Sequence, residues 1–445
     1  MKIGMQTWGS HGDVRPFLAL ANGLHAAGHD VHLSIVAFTG GAWRHLPSRP
    51  GLLISCLDLP ALDPLEIERI GRAAASLTNP VKQIATIMRL SFAPAEEAMF
   101  AAAQALCAES DVLVGHYFTH PLQTAAAHAG RSYVSVLLSH AGVPSDYSHP
   151  VGQPWIGKTG HRLLWWLTRR LLGRVLLPYP NRIRARLGMA PLTDIIGQSW
   201  LSPDLTLAAI SPQIGARQPD WPDTVRLSGF LDRPDLGVDG ALPPELDAFL
   251  AAGEAPVYMT FGSWMPRDGA EQAAALQLLT RAARLAGCRA IIQSDAAAAC
   301  GFTSSDRILY VREAPHAAIF PHCRAVVHHG GAGTTQAATL AGAPSIVVAH
   351  ISEQEHWARE LRRLGIGAAP LTRRALSAVR LARRIRVAAE TPGMRDRAAA
   401  IAARMQGEDG VAEAVRLIEQ RFGAAAMRRA PPAQTGAERE ATVAA

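Results

Sequence analysis

The feature that most limits the fold is a unit met twice along the chain: a short apolar run, a turn of small residues, then a stretch of helical period. Near the N-terminus, Lys2 to Gln6 reads as extended and Thr7 to Arg15 as a glycine-containing loop. Phe17, Leu18, Leu20, Ala21 and Leu24 then recur at helical spacing as far as Gly28, with Pro16 suited to a first helical turn. Val31 to Val36 resumes a strand. A strand–helix–strand opening implies a parallel sheet whose ligands gather beyond the carboxyl ends of its strands, so the Thr7 to Arg15 loop is expected to face a site. Asp111 to Gly115 and Tyr133 to Leu138 continue the same sheet.

Between Pro212 and Pro256 the composition turns to proline, aspartate and glycine, which marks irregular chain. The alternation then restarts with Val257 to Phe261, a helical stretch Ala270 to Ala286, and apolar runs at Ala290 to Gln293, Ile308 to Val311, Ala325 to His328 and Ser345 to Val348. The fold class expected is therefore α/β, with two doubly wound parallel-sheet domains facing a cleft. The boundaries read 1–215 for the first domain, 216–250 for a linker, 251–423 for the second domain and 424–445 for a disordered tail without periodicity. A chain of 445 residues that is 49% hydrophobic and 18% charged can bury two such cores, which excludes general disorder. The formal charge of +7 permits anionic partners without naming one, and no nucleic-acid partner is expected. Five cysteines, Cys56, Cys107, Cys288, Cys300 and Cys323, lack metal-ligand spacing and fit a reduced cytosol. With no apolar run of signal or membrane-spanning length, a cytoplasmic protein is expected.

The strongest chemical signal is His328-His329-Gly330-Gly331-Ala332-Gly333-Thr334-Thr335, between a strand and a helix. Small residues such as Gly331 and Gly333 let a diphosphate approach the backbone, and N–H groups and dipole at a helix start favour its charge. Thr334 and Thr335 would add hydroxyl donors and His329 an imidazole donor. Downstream come Ala341-Gly342-Ala343-Pro344, the strand Ser345 to Val348, and Ser352-Glu353-Gln354-Glu355-His356-Trp357 opening another helix.

Together these residues resemble the donor-binding signature of the UDP-glycosyltransferase family, whose fold is GT-B. The resemblance implies that His329 and Thr334 hold the diphosphate and that Glu353 and Gln354 contact sugar hydroxyls, for which a carboxylate and an amide are apt. A second anchor, Gly9-Ser10-His11-Gly12-Asp13-Val14-Arg15-Pro16, looks like the GSxGDVxP loop of bacterial and sterol-type members. It implies Asp13 as the base that deprotonates the acceptor hydroxyl. His11 departs from the arginine of the sterol branch and offers a second candidate base. Phe261-Gly262-Ser263 resembles the FGS segment, where backbone and Ser263 reach the diphosphate. Pro315 and His316 match the turn bordering the nucleobase, although Glu313 stands where plant members carry tryptophan, and Ala349 replaces a common proline. His116 and His120, just beyond a strand, read either as two solvated histidines at a loop or, as the resemblance implies, as a group supporting the base.

Three rival patterns fail on physical grounds. Gly152 to Thr159 satisfies GxxxxGK[ST], but no apolar strand precedes it, Pro154 removes an N–H donor and Trp155 crowds the loop. The N-terminal glycines lack GxGxxG spacing, and the second strand ends without a carboxylate for a ribose. There is no DxD pair and no HExxH, so no metal site and a metal-independent reaction are expected. The segment Trp155 to Leu177 interleaves leucines and tryptophans with Arg162, Arg169, Arg170 and Arg174. It reads either as a core-facing helix with a solvated arginine stripe or as a surface for a membrane or an apolar acceptor, with Trp155 and His116 as acceptor-side candidates.

The resemblance therefore implies an inverting, metal-independent hexosyltransferase. It would move glucose from UDP-glucose to a hydroxyl of a small lipophilic acceptor such as a sterol, terpenoid or polyketide. No cofactor is expected, the nucleotide sugar being a co-substrate. A dTDP-deoxysugar donor, a non-catalytic nucleotide-sugar-binding partner protein and an epimerase on the same fold are the alternatives, and the oligomeric state is left open.

Overall fold

The computed structural model describes residues 1–37, 43–57, 64–149, 155–232, 242–266 and 268–429. Two parallel sheets organise them. The first has seven strands, β1 (Lys2–Gly9), β2 (Asp30–Ala37), β3 (Leu52–Cys56), β4 (Val112–His116), β5 (Ser132–Leu137), β6 (Leu205–Ala208) and β7 (Val225–Leu227), in the order β3-β2-β1-β4-β5-β6-β7. The second has six, β8 (Val257–Met259), β9 (Ala290–Gln293), β10 (Ile308–Val311), β11 (Ala325–His328), β12 (Ser345–Ala349) and β13 (Leu371–Thr372), in the order β10-β9-β8-β11-β12-β13. The strands at each centre read as continuous apolar runs because helices cover both faces of a parallel sheet. Residues Ile3 to Gly9 of β1 and all of β11 are buried accordingly.

Each sheet reverses its winding at one place. In the first, β1 lies between β2 and β4; in the second, β8 lies between β9 and β11. Chains leaving the two strands at such a point diverge to opposite faces and open a crevice at their carboxyl ends. The fold thus marks the segments after β1 and β4, and after β8 and β11, before any chemistry is considered.

Several sequence expectations shift. The Thr7 to Arg15 loop shrinks to a single residue: β1 runs to Gly9, and helix α1 (His11–Ala26) begins directly after Ser10. The capping interaction of Ser10 with Asp13 starts the helix one and a half turns before Pro16, which lies inside it. The expected linker 216–250 contains β7, paired with β6, and the start of a helix at Pro244–Ala251, while residues 233–241 lie outside the described part. Helix α2 (Lys158–Leu176) follows Trp155, and α3 (Ala332–Leu340) and α4 (Ser352–Arg363) follow β11 and β12. The last helix, α5 (Gly410–Arg429), carries six residues into the segment read as a tail, of which 430–445 lie outside the described residues.

α5 does not stay with the second sheet. Its Val411, Ala414, Val415, Leu417, Ile418 and Phe422 share one apolar cluster with Ile3, Met5, Phe17 and Leu20 of the first domain. Nothing local in the sequence shows which core this helix completes. A further cluster joins Ala208, Ile210 and Ile214 to Trp357, Ala358 and Leu361 of α4, so the two domains are packed together along one flank of the cleft.

Candidate functional site

The first half of the site is built where β1 meets α1. Asp13, in the first turn of α1, turns its carboxylate back over the strand end. Its Oδ2 accepts from the Ser10 backbone N–H at 2.8 Å and from the Ser10 hydroxyl at 3.0 Å. Only glycine allows this at position 9, where φ is +135° and a Cβ would lie 2.6 Å from the Asp13 carboxyl carbon. The other oxygen, Oδ1, stands 3.6 Å from Nε2 of His116 at the end of β4, the partner strand across the switch point. The His116 Nδ1 accepts from the Phe118 backbone N–H at 3.3 Å, which leaves the proton of the neutral ring on Nε2, facing Asp13. Burial pushes the His116 imidazole down to about 3, so it is neutral. Burial raises the Asp13 carboxyl to about 6 against the opposing Ser10 contacts. Asp13 keeps 32% of its side-chain exposure and His116 2%, so the aspartate and not the histidine opens on the cleft.

The other candidates on this side separate. His11 occupies the first position of α1, is exposed, and sets its ring 4.5 Å from that of Trp43. His120 is turned away: its Nε2 meets the buried Glu96 at 2.8 Å, and its ring lies against Phe92. Trp155 stands 59% exposed at the entrance to α2, edge-on to His161 at 4.8 Å. The P-loop pattern is not preceded by a strand across the described residues 143–149, and 152–154 lie outside them.

The second half lies at the switch point of the other sheet. After β11, the His328 Nδ1 accepts from the Gly330 backbone N–H at 3.1 Å, and α3 starts at Ala332 with Gly331 as its cap and no side chain closing the end. His329 sits at this opening. Its Nδ1 is buried without a hydrogen-bond partner, and a Cβ on Gly331 would lie 2.5 Å from its Nε2. Gly262, in the turn after β8, is held against the same ring, where a Cβ would come within 3.2 Å. Burial and the neighbouring His316 bring the His329 imidazole down to about 4. Ser263 is in that turn, with its side chain outside the described part. Pro315 caps a short helix at His316–Ile319, and the His316 ring stacks on Phe320 at 4.4 Å. Thr334 lies in the first turn of α3 and Gly333 has open space where a Cβ would be. Thr335, expected as a hydroxyl donor, is instead fully buried with its Oγ1 inward, because the helix rotates it onto the core.

Glu353 and Gln354 open α4, and their surroundings differ. Burial and the Asp13 charge raise the Glu353 carboxyl to about 7, a coupling that puts the two carboxyls within electrostatic reach across the cleft. Gln354 is buried, and its Oε1 accepts from the backbone N–H groups of His350 at 2.7 Å and Ile351 at 3.3 Å. The carbonyl is thus committed to holding the loop before α4, and only the amide NH2 is left for a ligand, against the two hydroxyl contacts expected.

Three participants carried no signal of their own. Tyr117, next to His116, is raised well above its ordinary range by burial and by the charges of Glu353 and Asp13, so it lies between the halves. Gln83 reaches across, its Oε1 accepting from the Ser352 N–H at 3.2 Å and hydroxyl at 3.1 Å. Apolar spacing cannot flag a glutamine whose partner is 269 residues away. A further cluster packs the buried Trp8, Phe92, Trp165 and Trp200 with the partly exposed Phe118, Trp8 and Phe92 meeting edge to face at 4.9 Å.

Among the described residues one trio has metal-ligand chemistry: His140 from the first domain with His356 and Glu360 of α4. The two imidazoles face each other at 3.2 Å between Nε2 atoms, and Glu360 is already paired with Arg363 at 2.8 Å. Burial lowers both histidines, so the trio reads as a neutral interdomain contact.

Two parallel-sheet domains, with Asp13 at one switch point and the glycine-rich turn before α3 at the other, have the GT-B architecture. Residues 279–420 match the family model described as erythromycin biosynthesis protein CIII-like, C-terminal domain. Along 94% of its length the chain is 30% identical to the O-mycaminosyltylonolide 6-deoxyallosyltransferase of Streptomyces fradiae, covering 97% of that protein. It is 27% identical to a sterol 3-beta-glucosyltransferase of Arabidopsis thaliana over 94% of this chain and 65% of the plant protein. The calicheamicin glycosyltransferase CalG4 superposes over 97% of this chain and 99% of its own with a TM-score of 0.64 at 16% identity, which speaks for the fold. The chain belongs to the UDP-glycosyltransferase family and is a glycosyltransferase.

Proposed function

We propose that this glycosyltransferase moves a hexose, in the first instance glucose from UDP-glucose, onto a hydroxyl of a small lipophilic acceptor, with inversion and without a metal ion. The observation that carries the reading is the position of Asp13. It is the partly exposed carboxylate at the β1–β4 switch point, oriented by Ser10 and His116 and electrostatically coupled to Glu353 of the opposite domain. As the acceptor oxygen attacks the anomeric carbon, its proton passes to the outward face of Asp13. A carboxyl raised to about 6 is ionised at neutral pH yet more basic than an ordinary aspartate. His116 is the positioning neighbour, its Nε2 3.6 Å from Oδ1 and beyond hydrogen-bond distance, and it is too buried to meet the acceptor itself.

On the other side, His329, Thr334 and the open N-terminus of α3 receive the diphosphate and offset the charge of the leaving group. Ser263 joins them from the turn after β8, Pro315 and His316 border the base, and Glu353 with the Gln354 amide addresses the sugar. Phe118, partly exposed with its ring 5.9 Å from that of His116, and Trp155 take the acceptor. A dTDP-deoxysugar is the second reading for the donor, favoured by the Streptomyces relative whose name is that of a 6-deoxyallosyltransferase. The test is Asp13→Asn, which keeps shape but removes the basic lone pairs. UDP affinity by calorimetry should hold while kcat falls by roughly 10²–10⁴. Turnover near that of the parent would overturn the assignment, and a parent that binds donor but transfers to no alcohol would favour a non-catalytic binding protein.

A further inference from the structure

Helix α2 carries apolar residues on two faces, and only one of them is used inside the molecule. Trp165, Leu172 and Leu176 are buried in the same apolar cluster as Trp8, Phe92 and Trp200. On the far side Leu163, Leu167 and Leu171 form a ridge at four-residue spacing and stand 62%, 44% and 37% exposed. Trp166 flanks the ridge at 52%, and Trp155 and Ile156 extend it before the helix starts. Six of the large apolar side chains that the described residues leave exposed are thus gathered in one short segment. Scattered exposed leucines are ordinary, but a contiguous patch of this kind marks a docking surface.

The charges around the patch say what it fits. α2 has five cations, Lys158, Arg162, Arg169, Arg170 and Arg174, and no acidic residue. Arg162 pairs with Asp146, and Arg169 with Asp194 at 3.5 Å. Arg170 and Arg174 have no acidic partner among the described residues and fall on the exposed apolar face, Arg170 lying over the Trp166 ring at 4.7 Å. Tryptophan and leucine on one surface with arginines interspersed is the composition of a helix that lies in a lipid interface, the rings at headgroup depth and the long arginine stems reaching the phosphates. A protein partner with an apolar groove would not call for unpaired cations inside the apolar stripe. No helix among the described residues is long and apolar enough to cross a membrane, so the contact would be peripheral.

We infer that the outer face of α2 docks the enzyme on an anionic bilayer surface. The docking does not depend on which acceptor is used. The full chain is floated with vesicles of phosphatidylcholine alone and of phosphatidylcholine mixed with phosphatidylglycerol. It should bind the mixed vesicles, more weakly as salt is raised, and bind phosphatidylcholine alone poorly. Trp166→Ser with Leu167→Ser, and separately Arg170→Glu with Arg174→Glu, should each lower partitioning by roughly tenfold or more. Both double variants should keep the parent's circular dichroism and UDP affinity, since these side chains point away from the core. Failure to bind mixed vesicles, equal binding to phosphatidylcholine alone, or variants that partition like the parent would each overturn the inference. So would light scattering that shows a dimer dispersed by the same substitutions without any vesicle binding, which would assign the face to a second copy of the chain.

Discussion

Asp13 has to be ionised to accept a proton, and its surroundings resist ionisation. The proposed mechanism therefore gives kcat/KM a limb that rises with pH through about 6, activity being lost as pH falls and the carboxyl protonates. The position of the limb does not by itself distinguish Asp13 from His11. Substitution does: His11→Gln should leave the limb in place, and Asp13→Asn should remove it with most of the turnover. Loss of the limb in His11→Gln would reverse the roles. The same burial has a consequence for stability. Both Asp13 and Glu353 hold protons more tightly folded than unfolded, so between about pH 4 and 7 the native state binds the extra protons and stability falls as pH rises. Asp13→Asn and Glu353→Gln should accordingly melt higher than the parent at pH 8, with the gain shrinking toward pH 4. Melting points that follow the parent at both pH values would show that the two carboxyls are not under this strain. Asp13 was legible in the sequence through its place between Gly9 and Pro16, whereas the Ser10 clasp that holds it depends on a helix starting earlier than the proline suggested.

At the scale of elements, the cradle at the start of α3 was the most legible part of the site, because a strand, a run of small residues and a helix leave few ways to arrange the backbone. The sequence could not show which hydroxyls face outward, and Thr335 and the carbonyl of Gln354 turn out to serve the core and a loop. His329 keeps its exposure to the cradle. His329→Ala should weaken UDP binding by ~1.5–3 kcal/mol, the worth of a hydrogen bond to a charged oxygen, without changing the melting point of the ligand-free protein by much. Unchanged affinity in calorimetry would remove the ring from the diphosphate site. Gly331→Ala tests the packing beneath it: a Cβ 2.5 Å from Nε2 must displace the imidazole, so donor affinity should fall even though position 331 has an ordinary backbone conformation. Parent-like affinity in that variant would show the ring to be free to move.

For the whole molecule, two sheets facing a cleft followed from the repeated strand–helix alternation, since a parallel sheet admits few topologies. What did not follow was the crossing of the chain back to the first domain. α5 completes the core around Ile3 and Met5, so residues near the C-terminus help to fix the sheet that holds Asp13. Long-range closure of this sort leaves no local trace, as with Gln83 and Ser352. In the proposed mechanism the domains act together, because the base would stand on one and the diphosphate cradle on the other. The most direct measurement is the product itself. The enzyme, with excess EDTA present, is given a nucleoside diphosphate sugar of known anomeric configuration and an apolar alcohol, and the anomeric proton of the purified glycoside is read by NMR. A product of opposite configuration, formed at an undiminished rate with the chelator, is what a single base at Asp13 and a metal-free cradle at His329 predict. A product of retained configuration, or turnover that stops with EDTA and returns with magnesium, would contradict the account.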